Sequence, residues 1–129
     1  MMMIGFSTGA LAYGNFSSGL EMIRKNKLKD VELSALREPE LEPLVEAIDD
    51  LDLSDFDYVS VHAPSAIREN REAHAVTLLT SVARRGWPIV VHPDVIREAS
   101  LWESLGRQLT IENNDRRKEC GQRCLRPLF

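Results

Sequence analysis

Short runs of β-branched and apolar residues alternate along this chain with longer amphipathic stretches. Three of these runs, within 58–64, 88–94 and 108–115, stop at a His or a Glu that is followed by turn-forming residues. Such bounded runs predict β-strands. Similar but less regular runs predict two earlier strands at 4–7 and 31–36.

The stretches between the strands have the spacing of amphipathic helices. Pro39 suits the first turn of one helix. A second helix is predicted from about Glu69, with Gly86 near its end. Ser100 with Glu103 forms a capping-box pattern that predicts a short helix stopped at Gly106. In the helix that follows Pro39, one apolar stripe contains Leu41, Leu44, Val45, Ile48 and Leu51.

Strands that alternate with helices predict an α/β fold with a parallel sheet and right-handed crossovers. The ends of the last three strands are spaced as one strand–helix–strand repeat requires. A chain of 129 residues is an ordinary length for one domain. We therefore expect a single domain over 1–129.

Three side chains that can bind a metal end the last three predicted strands: His62, His92 and Glu112. The carboxyl ends of parallel strands gather at one rim, where ligands bind. Imidazole and carboxylate together suit zinc or manganese. A lone His in an apolar run is more often an interior packing residue. The repeated context, and the rarity of a buried Glu without a partner, favour a metal site.

Composition limits the class of protein. With 43% hydrophobic and 28% charged residues, the chain is typical of globular proteins. No apolar run reaches membrane-spanning length, and the amino terminus lacks the pattern of a signal peptide. Only two cysteines occur, close together, so no disulfide framework is predicted. We expect a cytoplasmic protein without a membrane partner.

Charge is distributed unevenly. Residues 116–129 form a basic tail of uncertain structure, whereas the rest of the chain is acidic. An acidic body disfavours nucleic acid as a partner. Arg117 and Lys118 could contact an anionic substrate group, although a solvated loop explains them equally well. Glu32 and Asn114 are further candidates for substrate binding, from the second strand and from the segment after Glu112.

The order Val-His-Ala-Pro, Val-His-Pro-Asp and Ile-Glu-Asn-Asn-Asp resembles the first five units of the xylose isomerase-like barrels. That superfamily contains sugar and sugar-phosphate isomerases and epimerases as well as endonuclease IV. The segments 4–9 and 31–34 resemble it too, and the likeness covers roughly residues 3–119. The resemblance implies a partial (β/α)8 TIM barrel with a divalent metal at its carboxyl-terminal rim.

The resemblance also implies roles for the three side chains. His62 and His92 match the zinc-binding histidines on the third and fourth strands of endonuclease IV. Glu112 matches the fifth-strand glutamate, which binds metal there and in many epimerases and can move the substrate proton in the latter. The expected function is a metal-dependent isomerase or epimerase of a sugar or sugar phosphate, with Glu112 catalytic.

Two alternatives stay open. One is a phosphodiesterase like endonuclease IV, which the acidic body disfavours. The other is a non-catalytic barrel remnant, because a full barrel takes about 250 residues and epimerases draw further metal ligands from later strands. A five-stranded piece also exposes its outer strands, so we expect a possible homo-oligomer formed through the strand edges.

Overall fold

Five parallel strands form one sheet, in the order in which they occur along the chain. The computed structural model describes residues 5–7 and 16–112. This confirms the predicted α/β alternation and the parallel sheet. The strands are β1 (Gly5–Ser7), β2 (Asp30–Ser34), β3 (Tyr58–His62), β4 (Ile89–Val91) and β5 (Leu109–Ile111).

A helix connects each pair of neighbouring strands. The helices are α1 (Phe16–Lys25), α2 (Glu38–Ile48), α3 (Glu72–Ala83) and α4 (Ala99–Trp102). Shorter 3-10 turns occupy Glu69–Arg71, Pro93–Val95 and Glu103–Gln108. Pro39 lies in the first turn of α2 as predicted, and Gly106 takes a positive φ of 56° within the last turn.

The predicted cap at Ser100 is wrong. Helix α4 begins at Ala99, so Ser100 already lies inside it, and its hydroxyl donates to Oε1 of Glu98 at 3.3 Å. The free backbone N–H groups just before the helix, on Arg97 and Glu98, bind the carboxylate of Glu72 instead. The carboxylate of Glu72 thus anchors the chain just before α4, and no side chain caps the helix itself.

One face of the sheet is apolar and packs against the helices. Alternate strand residues on this face share a single core with the buried residues of α1, α2 and α3. Burial of this face supplies the main driving force for folding. The strand residues of this core are Val31, Leu33, Val59, Val61, Ile89 and Val91.

Side chains alternate across a strand, so the intervening residues occupy the opposite face. Strand pairing places Ser34, His62, Val90 and Thr110 side by side in one row across β2 to β5. Three of these four residues are polar, and the row lies near the carboxyl ends of the strands. His62 therefore lies on the polar face, away from the helical core.

Candidate functional site at the carboxyl ends of the strands

His62 is held in one tautomer by its own loop. It is the last residue of β3, and its Nδ1 lies 2.7 Å from the carbonyl oxygen of Ala63. A carbonyl oxygen can only accept a hydrogen bond, so Nδ1 must carry a proton and donate it. In the neutral ring, Nε2 then presents its lone pair away from this contact.

Glu112 reaches that nitrogen from two strands away. Its backbone N–H donates to the carbonyl oxygen of Val91 at 2.9 Å, which continues the β4–β5 pairing past the end of β5. Its carboxylate Oε2 lies 3.3 Å from Nε2 of His62. The contact crosses over β4, so the sheet joins two of the three predicted ligands at one rim.

This contact brings two hydrogen-bond acceptors together. A carboxylate oxygen and the lone pair of a neutral Nε2 repel unless a proton or a cation lies between them. With metal–ligand bonds of about 2.0–2.1 Å in tetrahedral geometry, two ligand atoms stand roughly 3.3–3.4 Å apart. The side chains are 20% and 42% exposed, so the pair is accessible. The 3.3 Å separation of Nε2 and Oε2 equals that of two ligand atoms on one tetrahedral cation, and an ion pair gives a similar distance.

His92 has a different hydrogen-bonding arrangement. Its Nδ1 accepts the backbone N–H of Asp94 at 3.2 Å, and the carboxylate Oδ2 of Asp94 lies 3.6 Å from the same nitrogen. A neutral ring that accepts at Nδ1 carries its proton on Nε2. In this state Nε2 of His92 is a hydrogen-bond donor and has no lone pair to offer a metal.

The structure thus brings His62 and Glu112 together but does not join His92 to them as a third ligand. Within residues 5–7 and 16–112, no group of three or more His, Cys, Asp or Glu side chains is arranged to hold a metal ion. Binding of metal by all three residues stays a prediction.

The other predicted site residues lie either lower on the sheet or outside the described chain. Glu32 is half-buried and pairs in register with Ser60, two residues before the row that contains His62. It therefore lies one layer deeper on the polar face. Asn114, Arg117 and Lys118, together with the basic tail 116–129, lie outside the described residues.

A second group of charged side chains surrounds the start of α2. The Glu38 carboxylate accepts hydrogen bonds from the Arg68 guanidinium, the closest at 3.0 Å, and from the Arg68 backbone N–H, also at 3.0 Å. Arg71 adds a contact at 3.4 Å. These interactions, led by the Arg68 side chain, lower the pKa of Glu38 from 4.5 to about 2. Glu38 is therefore ionised at neutral pH.

A buried carboxylate ties the loop that follows β4 to α3. Glu72 is only 4% exposed, and its Oε1 accepts the indole N–H of Trp102 at 2.9 Å and the backbone N–H groups of Arg97 and Glu98 at 2.9 and 3.1 Å. Burial raises the pKa of Glu72, but these hydrogen bonds and the charge of Arg97 outweigh it, so the pKa is lowered.

The sequence patterns missed the contact of Asp94 with His92 and the cluster around Glu72 for different reasons. Asp94 was part of the quoted Val-His-Pro-Asp motif, and the turn-forming Pro93 could have indicated that Asp94 folds back on His92. Glu72, Arg97 and Trp102 had no such signal. They are well separated along the chain, and each looks like an ordinary helix or loop residue by itself.

Comparisons of this chain with protein-family models, with curated proteins and with solved structures found no match. Among the described residues, no helix combines the length and the apolar character needed to cross a membrane.

Proposed function

We propose that the rim site belongs to a metal-dependent isomerase or epimerase that acts on a sugar or sugar phosphate. The observation that carries this proposal is the 3.3 Å approach of Glu112 to His62, with the His62 ring oriented by Ala63. A carboxylate that is exposed at the rim and faces an oriented imidazole can both transfer a proton and help to hold a cation.

The reaction assigns a distinct task to each residue. In sugar isomerisation or epimerisation, a base removes the proton next to a carbonyl carbon and returns it to a different position or face. Glu112 performs both transfers through its carboxylate. The hydrogen bond to Ala63 fixes the ring of His62, so its Nε2 stays directed at the carboxylate of Glu112. A bound zinc or manganese ion would stabilise the enediolate negative charge that develops on the substrate.

His92 is the third metal ligand in this proposal and requires a local rearrangement. If Nδ1 takes the ring proton and donates it to the Asp94 carboxylate, which is already 3.6 Å away, Nε2 gains a free lone pair. A carboxylate that orients a metal-binding His in this way is a common arrangement. Asp94 thus becomes the residue that selects the metal-binding tautomer of His92.

Zinc titration of the three histidine variants tests this ligand set. We expect His62→Ala and His92→Ala each to weaken zinc binding by at least about tenfold, because each removes a direct ligand. The chain has one further histidine, His74, which lies on α3 with its Nε2 3.7 Å from Glu42. His74→Ala is therefore the matched control and should bind zinc as the unaltered protein does.

Calorimetry on the four proteins gives the answer directly. Unchanged zinc affinity in His62→Ala would contradict the metal site itself. Loss of affinity in His62→Ala but not in His92→Ala would leave only a site formed by His62 and Glu112, and the proposed role of His92 would be wrong.

The proposal also includes a barrel architecture and assembly. The consecutive strand order, with a helix between each pair of strands, is the order of a (β/α)8 barrel, and we propose that the sheet is part of one.

Within the described chain, β1 and β5 each pair with one strand only. Edges of this kind favour pairing with a second copy, so we propose a homo-oligomer.

Sedimentation velocity over a wide concentration range tests the assembly. We expect the average mass to rise with concentration, as reversible association through strand edges requires. A monomer at every concentration would contradict the proposed homo-oligomer and would leave the metal site unaffected.

A further inference from the structure

A cavity of about 550 Å³ opens beside the rim site, between the loops that follow β2, β3 and β4. Its size is within the usual range for sites that bind small molecules. It shares Asp94 with the surroundings of His92. Its lining includes Glu38, Ser65, Ile67, Arg68, Asp94 and Arg97.

Two arginines in the lining are already oriented by the protein. Arg68 directs its Nε and Nη2 to Glu38. Arg97 donates from Nη1 to the carbonyl oxygen of Ile67 at 2.8 Å. Each guanidinium has five N–H bonds, so both retain donors for a ligand. Because the side chains are held in place beforehand, a ligand would lose less side-chain entropy on binding.

The charge of the lining is balanced. Arg68 and Arg97 contribute two positive charges, and Glu38 and Asp94 contribute two negative charges. Arg68 is also paired with Glu38 through several hydrogen bonds. A phosphate dianion would have to compete with Glu38 for Arg68 and would face both carboxylates. A neutral ligand meets no such repulsion.

The mixture of groups suits a polyhydroxyl compound. Each sugar hydroxyl can donate one hydrogen bond and accept others, so it can use an arginine donor and a carboxylate acceptor together. The apolar lining residues Ile67 and Val95 are only 3% and 1% exposed, so hydrogen bonds to the charged side chains would supply most of the binding.

We propose that this cavity binds the hydroxyl groups of an unphosphorylated sugar, at the end of the substrate farther from the reacting carbons. The inference rests on the proposed function and selects between its two substrate classes. Sugars without phosphate are then the substrates, and Arg68 and Arg97 determine specificity without taking part in proton transfer.

Backbone amide chemical shifts test the inference separately from turnover. D-fructose and D-fructose 6-phosphate are each titrated into the unaltered protein and into Glu112→Gln. We expect D-fructose to shift the amides of Ala66, Arg68 and Arg97 in both proteins, with similar affinities. If D-fructose binds to Glu112→Gln but the unaltered protein catalyses no proton exchange, the proposed reaction is refuted. The inference about the cavity is then still supported.

Two variants with matched controls locate the binding. Arg68→Gln removes charged donors and should weaken D-fructose binding by about tenfold. Arg37→Gln, on an arginine that pairs with Glu40 outside the cavity, should change it by less than about twofold. Ala66→Trp places a large ring in the cavity lining and should also weaken binding, whereas Ala73→Trp on the exposed surface of α3 should not.

Two outcomes would overturn the inference. One is the absence of D-fructose-induced shifts at the cavity amides. The other is binding of D-fructose 6-phosphate more than about tenfold tighter than D-fructose, with the advantage lost in Arg68→Gln, because that pattern identifies an anion site.

Discussion

Glu112→Gln should lower the rate of proton exchange between a sugar substrate and solvent by about two to four orders of magnitude, the usual contribution of a general base. The amide has nearly the shape of the carboxylate and can donate a hydrogen bond to Nε2 of His62, so the fold and the contact should survive. The measurement is the incorporation of deuterium from D2O at the carbon next to the carbonyl group. It is monitored by NMR for a series of sugars in the presence of zinc or manganese.

Glu103→Gln is the matched control for this prediction. Glu103 is exposed and lies before β5, at the end of that strand opposite to Glu112. The control should exchange protons at the rate of the unaltered protein. Equal rates in Glu112→Gln and the unaltered protein would show that another group moves the proton. No exchange by the unaltered protein with any sugar or sugar phosphate would refute the isomerase proposal.

Glu72→Ala should be the most destabilising of the substitutions considered for this chain, with a loss of about 3–5 kcal/mol in the free energy of unfolding. It leaves the indole N–H of Trp102 and two backbone N–H groups without their acceptor. Each unsatisfied buried donor costs about 1–3 kcal/mol, and small domains have only about 5–15 kcal/mol in total. Urea denaturation measures the change.

The exposed Glu69, in the turn just before α3, supplies the control. Glu69→Ala should change the free energy of unfolding by less than about 0.5 kcal/mol. Glu72→Gln retains one carbonyl acceptor, so its free energy of unfolding should lie between those of the two alanine variants. It keeps the prediction testable if Glu72→Ala does not fold. Equal stability of the two alanine variants would contradict the structural role of Glu72.

The same residue should make stability depend on pH. The folded state lowers the pKa of Glu72 below its ordinary value of 4.5. Its contribution to stability is therefore complete above that value and is lost as the pH falls through the lowered pKa. The difference in stability between the unaltered protein and Glu72→Gln should accordingly narrow as the pH is lowered below about 4.5.

The sequence predicted the strands and their order well because the signal for them is local. A β-branched run that ends in a turn identifies β3, β4 and β5, and a parallel sheet then places His62 and Glu112 at the same rim. Their contact could be expected in general terms. The contact spans β4 because the side chains of His62 and Glu112 are oriented toward each other. No local sequence pattern predicts that orientation.

The hydrogen-bonding state of each histidine could not be predicted. His62 and His92 follow nearly identical strands, yet one ring donates to a carbonyl oxygen and the other accepts from a backbone N–H. The difference arises because Pro93 turns the chain so that the N–H of Asp94 faces His92. The Glu72 cluster was also hidden, because its partners lie 25 to 30 residues away along the chain.

The consecutive order of the strands also affects how the chain acquires its structure during synthesis. Every strand pairs only with the strands immediately before and after it, through partners about 20–28 residues apart. Each unit that emerges from the ribosome therefore finds its docking surface already made, and no early strand waits for a distant one. Folding can advance from the amino terminus at the pace of translation, and β5, which carries Glu112 at its end, is the last of these strands to be added.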